Sequence, residues 1–174
     1  MQFDFTLKFK LGAGDLDEDE LMTRLADAGC TDALVGLGLP GYVGLEFMRE
    51  ANSANEAFIS ALKDVHRALP TAELVEAGPD FVGLTEIADL IGVSRQGMRK
   101  IFTTQAASFP PPLHAGNTMV WHLAVVLEYL LDRDYEFTPT VLDVARTSMQ
   151  LNLARDVRAV DQSFDERLRL QLAA

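Results

Sequence analysis

The first eleven residues constrain the fold more than any other part of the chain. Phe3, Phe5, Leu7, Phe9 and Leu11 alternate strictly with Asp4, Thr6, Lys8 and Lys10. Successive side chains of a strand point to opposite faces, so this run specifies a strand with one buried and one wet face. Wound as a helix, the same residues would scatter their apolar groups around the whole circumference. The chain must therefore build a sheet that is covered on one side.

The following residues supply the cover. Glycines at 12 and 14 break the strand. Asp15, Asp17, Glu18, Asp19 and Glu20 then lead into Leu21, Met22, Leu25 and Ala28, which share one helical face, and Gly29 ends that helix. Two short apolar runs, 33–37 and 41–47, flank Gly38, Leu39, Pro40 and Gly41 and predict a hairpin. Ser53 is the expected N-cap of a second helix, with Glu56 completing a capping box. Ala54, Ala57, Phe58, Ala61, Leu62, Val65 and Leu69 keep the helical period up to Pro70. Residues 71–76 read as a last strand. The fold class is α+β, and the order β-α-β-β-α-β over residues 1–79 is the ferredoxin-like split arrangement.

This unit carries no recognisable catalytic constellation. The acids at 15–20 complement a helix dipole, which explains them without a bound cation. The glycine-rich residues 36–41 lack the Lys-Ser/Thr of a phosphate cradle and precede a strand. Cys30 follows a helix end, where nothing lowers a thiol pKa, and one cysteine makes no internal disulfide. His66 is expected on the outer face of its helix, with no Ser or Cys beside it in a nucleophile motif. No enzyme activity, metal or cofactor is expected. No apolar run approaches the roughly 18 residues of a membrane span, and the N-terminus lacks a signal pattern, so the cytoplasm is the expected compartment.

Charge is unevenly placed. The net charge of −11 argues against indiscriminate binding of polyanions. Residues 1–80 hold fifteen acids and six bases, whereas residues 81–131 hold three of each. The three bases of that neutral segment, Arg95, Arg99 and Lys100, fall within six residues. They belong to LTEIADLIGVSRQGMRKIF, residues 84–102. Here Thr85 is the expected N-cap of a short helix with Ile87, Ala88, Leu90 and Ile91 inward. Gly92 supplies the turn and Ser94 caps a second helix from Arg95 to about Thr103. Met98, Ile101 and Phe102 point back, while Arg95, Gln96, Arg99 and Lys100 point out and Gly97 leaves a site bare. That is a helix-turn-helix with DNA-reading side chains outward.

Beyond it, residues 109–121 read as strand, Gly116 and Asn117 turn, and strand, followed by an apolar helix from Trp121 to Leu131 that carries Leu123, Val126, Leu127, Leu130 and Leu131. This series resembles the winged-helix domains of the MerR and AlpA/excisionase-type groups. The matching residues are Leu84, Thr85, Ile87, Ala88, Gly92, Val93, Ser94, Met98, Lys100, Phe109, Pro110, Gly116, Trp121, Tyr129 and Leu130. The resemblance covers about residues 81–131, in a domain expected over 80–133. It implies sequence-selective binding of double-stranded DNA, with helix 94–104 in the major groove and the wing against backbone or minor groove. The wing departs from the pattern in carrying His114 and Asn117 where Arg or Lys would hold phosphate.

In the last segment, 134–174, Thr138 and Pro139 open a helix. Leu142, Ala145, Met149, Leu153, Val157, Val160, Phe164 and Leu168 recur at helical spacing. Ser163 and Glu166 form a second capping box, which predicts two helices hinged near Asp161. The stripe must bury against the chain's own domains or against a partner. The expected function is a homodimeric transcriptional regulator of a prokaryotic operon. Arg95, Gln96 and Arg99 read bases, Ser94, Lys100 and Thr103 hold phosphates, and Thr85, His114 and Asn117 complete the expected DNA-binding set. The alternative is an antitoxin-like protein that autoregulates its operon, with its acidic N-terminal domain or C-terminal helix clasping a protein partner.

Overall fold

The structure, a computed structural model, describes residues 1–12 and 17–160. It is an α+β protein. Strand β1 (Gln2–Lys10) is followed by α1 (Glu18–Asp27), β2 (Ala33–Gly36), β3 (Tyr42–Glu50), α2 (Ala54–Ala68) and β4 (Glu73–Gly78). These four strands form one antiparallel sheet in the order β2-β3-β1-β4. The alternation expected of the first strand is realised: Phe3, Phe5, Leu7 and Phe9 are buried, and β3 answers with Val43, Leu45 and Phe47 on the same face. Phe5 stacks between Phe58 of α2 and Phe47, at centroid distances of 4.0 and 5.2 Å. Leu21 and Leu25 of α1 and Ala57, Phe58, Ala61 and Val65 of α2 complete this core.

Local signals set the helix ends. Ser53 Oγ accepts from the Glu56 N–H at 3.2 Å, but the Glu56 carboxylate takes its bond from Asn52 rather than closing the expected box. Gly29, at φ +99°, turns the chain out of α1. Met22 does not join Leu21 and Leu25 in the core; it is about half exposed on the flank of α1.

The second sheet is small. β5 (Phe81–Val82), β7 (Met119–His122) and β6 (His114–Ala115) lie side by side in that order, with α3 (Leu84–Ile91), α4 (Arg95–Thr104) and α5 (Leu123–Leu131) around them. β5, two residues long, carries no local sequence signal of a strand. Trp121 belongs to β7 rather than to the following helix, and the strand expected near Phe109 is confined to His114 and Ala115. Phe102, Phe109, Trp121 and Tyr129 meet edge to face at 4.9–5.9 Å, and the Trp121 indole donates to the Pro110 carbonyl at 2.9 Å. The Phe-Pro link and the tryptophan are thus the packing centre of a second core.

The last described helix, α6 (Pro139–Val157), belongs to both cores. Val144 enters the first, and Leu142 and Ala145 enter the second. Its buried face differs from the expected apolar stripe. Leu142 and Ala145 are buried and Met149 half-buried, but Leu153, Val157 and Val160 face solvent. The face continues instead through the polar Ser148 and Asn152. Asn152 is held there by hydrogen bonds: its Oδ1 accepts from the Ala77 N–H, and its Nδ2 donates to the Ala77 carbonyl and to Asp80 Oδ2, each at 2.8 Å. The hinge near Asp161, the Ser163–Glu166 box, Phe164 and Leu168 lie outside the described residues.

Candidate nucleic-acid interface

The helical pair α3–α4 is built by three local devices. Thr85 is not the cap of α3. The helix begins two residues earlier than expected, at Leu84, with Gly83 at the cap and the Glu86 carboxylate accepting from its N–H at 3.1 Å. Thr85 is an exposed residue of the first turn. Gly92 ends α3 at φ +72°, ψ 27°, the left-handed conformation that favours glycine. Ser94 caps α4, its Oγ accepting from the Gly97 N–H at 3.0 Å. Ile87, Ala88 and Met98 are fully buried where the helices cross, and Ala88 keeps them close.

With Met98 inward, the remaining face of α4 is turned outward. Ser94, Arg95, Gln96, Arg99, Lys100 and Thr103 are all exposed along it. Gly97 is less open than expected, because a Cβ there would lie 3.2 Å from Ser94 Oγ. Arg24, Arg49, Arg67, Arg146 and Arg155 each pair with a carboxylate. Arg95, Arg99 and Lys100 have no carboxylate within 4.0 Å among the described residues. In a chain with 26 acids and 15 bases, three neighbouring cations left unpaired on one helix face form a surface suited to an external anion.

The hydroxyls differ in what they have left to offer. Ser94 uses a lone pair for the cap and keeps its proton to donate. Thr103 donates to the carbonyls of Arg99 and Lys100 on its own helix, at 2.9 and 3.2 Å. Its proton is committed, and a phosphate oxygen would have to displace that bond. In the hairpin, His114 and Asn117 are exposed, and the His114 ring lies against Gly116.

Two other polar clusters were not legible in the sequence. The Arg49 guanidinium makes contacts from all three nitrogens: to Asp32 through both carboxylate oxygens (2.8 and 2.9 Å), to Asp64 (2.8 Å), to Ser60 and to the Gly29 carbonyl. The bidentate bond to Asp32 holds its pKa above the ordinary value against the opposing effect of burial, with Asp64 adding to the rise. Its donors are spent inside the fold, so the cluster is a brace and not a ligand site. The other is Asp80, buried where the two cores meet. It accepts from Asn152 and from His122 Nδ1 at 2.7 Å. No short-range pattern signals a triad whose members are separated by 42 and 72 residues. His66 is exposed, its Nδ1 on the Leu62 carbonyl at 2.7 Å.

No group of three or more His, Cys, Asp or Glu side chains is arranged to hold a metal ion, and no helix is long and apolar enough to cross a membrane, among the described residues. Compared with protein-family models, curated proteins and solved structures, the chain finds no match.

Proposed function

We propose that the chain is a DNA-binding transcriptional regulator, a binding protein rather than an enzyme, which lays α4 in the major groove of double-stranded DNA. The observation that carries this reading is the exposed set Arg95, Gln96, Arg99 and Lys100 on a helix capped at its N-terminus and braced by α3, with its three cations free of carboxylate partners among the described residues. Arg95, Gln96 and Arg99 suit base edges, and Lys100 and the Ser94 hydroxyl suit phosphate. The order β5-α3-α4-β6-β7-α5 supports a winged helix-turn-helix reading of this half. The antiparallel order β4-β1-β3-β2 with a β-α-β-β-α-β path supports a ferredoxin-like reading of the other.

Few phosphates are neutralised by three cations, so affinity should be modest and fall with salt. The test is a fluorescence anisotropy titration against duplexes enriched from a random library, at low and moderate salt. Arg95→Ala and Arg99→Ala should each weaken binding by about 1–3 kcal/mol if each makes a bidentate base contact. Unchanged affinity in both variants would overturn the assignment of α4 as the reading helix.

A further inference from the structure

The two edges of the four-stranded sheet are finished differently. At the β4 edge the outward N–H and C=O of Ala77 are both satisfied by the Asn152 carboxamide, which stands where the next strand would lie. The β2 edge has no such cover among the described residues. The Met48 N–H donates to the Asp32 carbonyl at 3.0 Å, and pairing continues through Leu34 with Glu46 and Gly36 with Gly44. Antiparallel ladders alternate, so the residues between, Ala33 and Val35, turn their backbone groups away from β3. Val35 therefore presents an N–H and a C=O outward, side by side. A short strand is one way to blunt an edge, but β2 carries none of the others: no lysine, no proline and no bulge.

We propose that this edge is the interface with a second copy of the chain, β2 pairing antiparallel with its counterpart about a two-fold axis at Val35. Three features favour a second copy over a foreign partner. An antiparallel pair of identical strands is self-complementary, and the outward groups of Val35 bond reciprocally to those of its counterpart. That register sets Leu34 opposite Gly36 of the other copy, a large side chain beside an empty position. It is also where two like-charged molecules can meet: residues 1–80 hold fifteen acids and six bases, yet residues 33–45 are thirteen consecutive residues without a charge. Apolar side chains flank the edge, with Leu34 68% and Met48 61% exposed on the open face of the sheet and Leu37 and Leu39 exposed in the hairpin turn. Pairing would continue the sheet across the axis as eight strands. The interface does not depend on DNA binding, since it lies on the other sheet.

Sedimentation velocity of the full chain over a concentration series, without DNA, tests it. The expected result is a monomer–dimer equilibrium that both Leu34→Glu and Val35→Pro weaken by roughly tenfold or more. Leu34→Glu places a carboxylate at an exposed site, and Val35→Pro deletes an N–H that β3 does not use. Circular dichroism melts close to wild type would show that the variants fold, and either folded variant suffices. A wild-type chain that stays monomeric overturns the interface, whatever its DNA affinity. A dimer that survives in a folded variant overturns the surface.

Discussion

Cys30 lies in the first core just past the end of α1, ringed by Asp64, Arg49, Asp32 and Arg67. Burial pushes its thiol pKa from 9.0 up to about 11, with Asp64 and Asp32 adding to the rise and Arg49 and Arg67 opposing it. The direction decides how the residue behaves. A thiol that ionises less readily in the folded state than in the unfolded one favours folding below the unfolded pKa, and that contribution is lost as pH rises through the folded value. Thermal melts taken from pH 9.0 to about 11 should therefore fall more steeply for wild type than for Cys30→Ala. The comparison of slopes isolates the thiol, because every other titratable group is common to both proteins. Parallel slopes would mean that the site opens to water before the thiol ionises. The cysteine is buried and its pKa is raised rather than lowered, in keeping with its place after a helix end rather than before a helix start.

At the scale of elements, the α3–α4 pair stands on a few local choices that can be tested one at a time. Gly92 holds φ +72°, and a Cβ there would meet nothing within 4 Å. Replacing it costs only the backbone strain of a left-handed non-glycine residue. Gly92→Ala should lower stability in urea unfolding by about 1–2 kcal/mol; a midpoint that holds would show the turn relaxing into another conformation. Such devices are legible in a sequence because cause and effect lie within four residues: Ser53 and Ser94 cap where they were expected, and the alternation of β1 places its phenylalanines. Thr85 is not the cap because Gly83 and Glu86 offer a rival start two residues earlier. β5 was hidden because two residues make a strand only by pairing with Trp121 and His122, forty residues on. α6 misled for a related reason. Its apolar stripe follows the helical period, but the face is chosen by Asn152, whose carboxamide finds the β4 edge, so that Leu153 and Val157 are left outside. The outward side of α4 was readable because exposure there follows from the burial of Met98 alone.

For the whole molecule, the seam between the two cores is decisive. α6 sends Val144 into one and Leu142 and Ala145 into the other, and Asn152 joins the Ala77 backbone of β4 to Asp80, which in turn holds His122 of β7. The four-stranded unit and the half that carries α3, α4 and α5 thus share a hydrogen-bonded joint as well as a helix, and the two should unfold as one. Trp121, the chain's single tryptophan, reports on the second core by fluorescence, while far-ultraviolet circular dichroism reports on both. In wild type the two urea transitions should coincide. Asn152→Ala would strand the Ala77 N–H and C=O and one oxygen of Asp80 in a buried place, a loss on the order of 3 kcal/mol. It would also cut the link between the halves, so the two transitions should separate. Asn152→Asp keeps the shape but removes both donors and sets a second carboxylate against Asp80, and it should be the less stable variant. If Asn152→Ala leaves both midpoints in place and coincident, the apolar contacts of Val144, Leu142 and Ala145 hold the seam alone. A separation of the curves would instead make this polar joint the element that couples the sheet unit to the half that carries α3 and α4.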